Sequence, residues 1–186
     1  MRHCTACCPM LSTLTPPELK RAGAAPKASV AGAAPAAGAQ LHWRALESLY
    51  SSAPINHLFR SELMIAGEGQ SRIAFDVDES CFHAAGAAHG TIYFKMLDDA
   101  AFYAANTLVS DRFLLTTSFN LHFARPIRAG RVYAEGRWIS GRRRVLVAEA
   151  RLIDGDEEEV GRGTGTFMRS HIALSGLDGY ARTFTP

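Results

Sequence analysis

Residues 89–109, HGTIYFKMLDDAAFYAANTLV, decide the fold. After Gly90 the stretch holds no glycine and no proline, it favours Ala, Leu and Met, and nearly every face is apolar, so it predicts a helix buried on most sides. Working outward, the pattern changes to period two. Leu115, Thr117, Phe119, Leu121 and Phe123 alternate with Thr116, Ser118, Asn120 and His122, which predicts a strand ended by Pro126 and Gly130. Residues 132–140, 143–154 and 160–168 follow as three strands joined by connections short enough only for antiparallel hairpins. Upstream, residues 63–66 and 72–77 form a hairpin about Gly67-Glu68-Gly69-Gln70, preceded by a short helix over 41–50 that stops before Pro54. Two strands before one long apolar helix and four after it predict an α+β domain, an antiparallel sheet wrapped around a central helix. Glycines at 161, 163 and 165 leave one face of the last strand without side chains, where the buried helix would fit.

Composition narrows the function classes. The chain has 186 residues, 47% hydrophobic, with 20 Lys and Arg against 18 Asp and Glu, a net charge of +2 that suits no extensive nucleic-acid contact. No apolar run reaches the ~18 residues of a membrane span, so no membrane partner is expected. Residues 1–40 are alanine-rich and broken by glycine and proline, and read as a disordered low-complexity leader. Residues 41–170 are the folded domain and 171–186 a C-terminal tail. A cytoplasmic location is expected, or an organellar one if residues 1–40 are a transit segment, and Met10 is an alternative start. Cys4, Cys7 and Cys8 with His3 crowd one short peptide and lack a second ligand pair, so metal binding there competes with a floppy leader. Within the domain no metal site and no cofactor are expected.

Two features carry chemistry. Asp98 and Asp99 lie in the middle of the most apolar helix, where a carboxylate must be paired, hydrogen-bonded or wet. One reading is a solvated stripe paired with Lys95; the other is a carboxylate that faces a ligand. Ahead of them, His83-Ala-Ala-Gly86-Ala-Ala-His89-Gly90-Thr91 ends where the helix begins. A helix start presents free N–H groups, and Gly90 lets a substrate oxygen approach them, as an oxyanion hole requires. Eight residues of α-helix rise ~12 Å, too far for Asp98 to serve a carbonyl held at Gly90 of the same chain. A second copy would bring the two together across an interface.

The motifs Gly86-x-x-His89-Gly90, Leu97-Asp98-x-Ala100, Asn120 with Arg125-Pro126 and Gly130, and Gly163-x-Gly165-Thr166-Phe167 resemble those of the hotdog-fold acyl-CoA thioesterases. Within them the match is to the group related to the phenylacetic-acid-pathway thioesterase. The resemblance implies a homodimer with a continuous sheet, further pairing to a homotetramer, and two sites per dimer. It implies that the Gly90 N–H polarises the thioester carbonyl while Asp98 attacks it or activates a water. Thr116 aligns with a hydroxyl residue that positions the water, with Thr117 an equally plausible hydroxyl. His83 stands where the family often has Asn, and Thr91 where it often has a second glycine, so His83, His89 and Thr91 are supporting or substrate-binding candidates. For His89 a structural role at the loop competes. Coenzyme A enters as part of the substrate. Arg142, Arg143 and Arg144, then Arg125 and Arg128 with His122, are phosphate candidates beside the alternative of solvated turns. Phe102, Tyr103 and Phe119 line an acyl pocket or simply fill the core. The competing functions are a non-catalytic acyl-CoA-binding or sensing protein of the same fold, and a hydratase built on His89.

Overall fold

A computed structural model describes residues 36–184. The Cys4, Cys7 and Cys8 cluster and the leader before residue 36 lie outside the described residues. The elements are α1 (Ala37–Ser52), α2 (Pro54–Phe59), β1 (Glu62–Gly67), β2 (Gln70–Val77), α3 (Gly90–Asn106), β3 (Arg112–Phe123), β4 (Gly130–Ser140), β5 (Val145–Ile153), β6 (Glu159–Ala173) and α4 (Asp178–Ala181). All strand pairings are antiparallel, in the order β1-β2-β4-β5-β6-β3, and the sheet packs around α3. That is the hotdog arrangement. β1 and β3 are the two edges.

α3 begins at Gly90 with His89 as its N-cap, whose Nδ1 accepts from the Thr91 N–H at 3.2 Å. Its far end has no glycine or proline stop and is closed by side chains instead. The Thr107 hydroxyl donates to the Ala104 carbonyl at 2.7 Å, Asn106 Nδ2 donates to the Val109 carbonyl at 2.9 Å, and His42 Nε2 donates to the Asn106 carbonyl at 3.0 Å. Burial holds His42 below its ordinary pKa, so it is neutral, and Nδ1 takes the Tyr180 hydroxyl at 2.7 Å. Met96, Leu97, Ala100, Ala101, Ala104 and Ala105 are fully buried along the helix.

Three local expectations change. α1 starts at Ala37, earlier than residue 41, and Pro54 does not merely end it but opens α2, where a proline fits the first turn because no helical N–H is needed there. β6 continues past residue 168 to Ala173, and buried Leu174 and Tyr180 carry the core into the expected tail, where α4 packs on α1. The glycine face of β6 is shared between the expected helix and β3, each contributing a ring: a Cβ at Gly161 would meet the Tyr93 ring of α3 at 3.1 Å, and at Gly163 and Gly165 the Phe119 ring of β3 at 2.3 and 2.6 Å. The close helix approach is at Gly136 in β4. A Cβ there would lie 2.0 Å from the Ala100 carbonyl oxygen, which also accepts from the Ser71 hydroxyl at 2.6 Å.

β3 departs from strict alternation. Its register against β6 slips between Thr116, opposite Phe167, and Ser118, opposite Thr166. The extra residue switches faces: Leu114 and Thr116 turn towards α3, Thr117 turns away, and Phe119 and Leu121 turn inward again.

Candidate active site

The segment before α3 is pinned as a compact loop. His83 N–H donates to the Ala87 carbonyl at 2.9 Å, Ala88 N–H to Ile127 at 2.8 Å and His89 N–H to Cys81 at 2.8 Å. Tyr93, one turn into the helix, donates to the Arg125 carbonyl at 2.6 Å and accepts from the Ile127 N–H at 2.8 Å, which ties the β3–β4 connection over the helix start. Between them lies a cleft of about 430 Å³, lined by His83, Gly90, Tyr93, Phe123, Arg125 and Pro126 among others. His89 takes the Thr91 N–H, and among the described residues the Gly90 N–H meets no acceptor, which leaves a donor at the positive end of the helix. A Cβ on Gly90 would stand 3.3 Å from the Phe123 ring, so glycine keeps this mouth open.

The second part of the site lies two turns along α3. Asp98 is partly buried, and Thr116 Oγ1 sits 3.0 and 3.3 Å from its two carboxylate oxygens. Burial pushes the Asp98 carboxyl up to about 6, the Thr116 hydroxyl pulls it back, Asp99 raises it and Lys95 lowers it. Asp99 differs: it forms an i,i+4 ion pair with Lys95, although burial still holds its carboxyl above the ordinary range. The two carboxylates therefore have different partners. Asp99 is the structural partner of Lys95, while Asp98 is held by the Thr116 hydroxyl from β3.

Other candidates separate in the same way. Thr117 bonds the Thr166 hydroxyl and carbonyl at 2.9 and 3.0 Å and does not reach Asp98. His89 caps the helix, His83 sits at the rim with Nδ1 accepting from the Ala85 N–H at 3.1 Å, and Thr91 is exposed beside His89. Arg125 lines the Gly90 cleft but pairs with Glu158 at 3.0 Å. Arg142 pairs with Glu68 at 3.2 Å, while Arg143 and Arg144 form no ion pair among the described residues, and neither does Arg128. The register puts the Arg142–Arg144 turn beside Met168 and Arg169, at the opposite end of the sheet from Gly161 and the Gly90 cleft. Within one chain these arginines do not converge. Phe102 is a core residue, packed on Tyr103, Phe113 and Phe167. Tyr93, Phe123 and Asn56 had escaped notice: the first two are visible only as neighbours of Gly90 in space, and Asn56 sits on the unforeseen α2. Among the described residues no cluster of His, Cys, Asp and Glu is arranged to hold a metal, and no helix is long and apolar enough to cross a membrane.

A carboxylate poised to ionise near neutrality and a helix start with a free N–H are the parts of an acyl-transfer site. Residues 85–161, which contain both, match the family model described as the thioesterase superfamily. The chain is a hotdog-fold protein that carries the thioesterase-superfamily pattern through its centre, and thioester hydrolysis is the general chemistry this supports. Among relatives, a Saccharolobus solfataricus protein whose name proposes an esterase is 29% identical over 101 residues, 54% of this chain and 67% of that protein. The E. coli PaaI protein from the phenylacetic acid degradation operon shares the fold with a TM-score of 0.67 at 17% identity, covering 73% of this chain and 97% of that one. A Streptococcus mutans protein, smu.793, solved bound to acetyl CoA, has a TM-score of 0.55 at 15% identity, covering 59% and 88%.

Proposed function

We propose that this protein hydrolyses acyl-CoA thioesters at a site completed across a dimer interface. The observation that carries the reading is the pair of half-sites on α3: Asp98 with Thr116 at one place, and the free Gly90 N–H in its cleft ~12 Å further back along the same helix. Neither half suffices alone. β3 supports the assembly, because it is a 12-residue sheet edge that ends in half-exposed Phe123 and runs beside half-exposed Phe94 of α3. A second β3 pairing there would continue the sheet and satisfy the free backbone groups. In the resulting dimer the thioester oxygen rests on the Gly90 N–H of one protomer, and Asp98 of the other acts as nucleophile or as base towards water. Thr116 holds that carboxylate in place. The thiolate leaves as coenzyme A, which is substrate and not a cofactor, and its phosphates meet the unpaired cations Arg128, Arg143 and Arg144.

A thiol-release assay over a panel of acyl-CoAs tests this directly. Wild type is expected to release coenzyme A, and Asp98→Asn to lose two or more powers of ten in kcat/KM. Unchanged turnover in Asp98→Asn would remove its role, and tight binding without release by wild type would favour an acyl-CoA sensor.

A further inference from the structure

The most heavily desolvated cation near the site has no part in the chemistry above. The Lys95 side chain is 13% exposed. Its ammonium donates to Asp99 and to Asn56 Oδ1 at 2.6 Å, and it stands 5.2 and 5.5 Å from the Tyr50 and Phe59 rings. Asn56 is itself buried and donates to the Tyr50 carbonyl at 2.6 Å, and the Tyr50 hydroxyl bonds Ser61 Oγ at 2.5 Å. Side chains from α1 and α2, backed by Ser61 just before β1, thus converge to fix one charge on α3.

Stability alone does not call for such an arrangement, since an apolar pair of similar volume commonly does as well as a buried ion pair. Its position suggests a different use. Lys95, Asp98 and Asp99 occupy positions i, i+3 and i+4, so both carboxylates neighbour the same ammonium. Without it, two adjacent, partly buried carboxylates would compete for a proton. With it, Asp99 is neutralised where it stands, and Asp98 is free to ionise. The groups that act on Asp98 are Asp99 and Lys95 from α3 and the Thr116 hydroxyl from β3. Lys95 and Asp99 act in opposite directions.

We propose that Lys95, clamped by Asn56 and paired with Asp99, is a positioning residue that keeps Asp98 ionised and reactive at neutral pH. This rests on the reading of Asp98 as the reacting carboxylate.

The test is the pH dependence of kcat/KM for thioester hydrolysis in Lys95→Met, Asp99→Asn and the double variant. Lys95→Met is expected to move the acid-limb midpoint up by about one unit and Asp99→Asn to move it down, with the double variant returning close to wild type. Lys95→Arg, which keeps the charge, should restore the wild-type midpoint. Midpoints that stay fixed, or that move the same way in both single variants, would overturn the proposal, since a purely structural role lowers rate or stability without opposite shifts. Carbon-13 NMR titration of the Asp98 carboxyl in the full chain reads the same shifts without turnover. A wild type that releases no thiol would therefore sink the hydrolase reading and leave this one to stand or fall on the NMR. If Lys95→Met does not fold, Asn56→Ala, which keeps the ammonium but unclamps it, decides: an upward midpoint shift supports the proposal and a fixed midpoint overturns it.

Discussion

Thr116 reaches Asp98, at 3.0 Å, because β3 carries one residue too many against β6. On a regular strand, Thr116 would share a face with Ser118 and Asn120, away from the helix. The bulge between Thr116 and Ser118 turns it inward and sends Thr117 out to Thr166 instead.

That geometry separates two adjacent threonines experimentally. Thr116→Val removes the hydroxyl that pulls the Asp98 carboxyl down, so the acid-limb midpoint of kcat/KM should rise from about 6. A rise of about one unit is expected for the loss of one such hydrogen bond. Thr117→Val should leave the midpoint where it is. Equal shifts in the two pH–rate profiles would show that the hydroxyls are interchangeable.

Asp98 also sets a pH dependence of stability. Its folded pKa of about 6 lies above the unfolded 3.8, so the folded state holds the proton longer. The stabilisation is complete below pH 3.8 and is lost as the pH rises to about 6. Asp98→Asn, which mimics the protonated form, should therefore be more stable than wild type at pH 8 by about 1–3 kcal/mol. Thermal melts at pH 4 should show almost no difference. A variant less stable than wild type at pH 8 would mean that the ionised carboxylate is better paired than burial implies.

A site shared between protomers permits complementation. Asp98→Asn and Gly90→Val should each be inactive, the second because the new side chain fills the space beside Phe123. Mixed and exchanged at equal amounts, half the dimers are heterodimers with one intact site each, so about 25% of wild-type activity is expected. No recovery, after mass spectrometry confirms exchange, would place both groups in a site within one protomer and overturn the shared site.

Gly136→Ala should be among the most damaging single-methyl additions in the chain. Its Cβ would overlap the Ala100 carbonyl of α3, and β4 is held in place between β2 and β5. Destabilisation of about 3 kcal/mol or more is expected in denaturant unfolding. Gly38→Ala, in open space on α1, should be neutral or stabilising.

Much of this could be read from residues 89–109 and their flanks. A helix apolar on nearly every face can be satisfied only by a sheet that wraps it, and hairpin connections too short for crossovers make that sheet antiparallel. His89-Gly90 marked the helix start and Asp98-Asp99 the costly carboxylates, since both follow from local rules of capping and burial. The choices between neighbours did not follow. Asp98 or Asp99, and Thr116 or Thr117, are equivalent by residue type and spacing.

What separated them is long-range. Lys95 is fixed by Asn56 and Tyr50, 39 and 45 positions away, and so claims Asp99, while a bulge in β3, set by its pairing with β6 some 50 residues on, delivers Thr116 to Asp98. Periodicity fixes which residues prefer burial, because side-chain direction repeats along a regular element. A bulge or an ion pair depends on a partner that chain folding brings in from elsewhere, and only the tertiary structure holds that information.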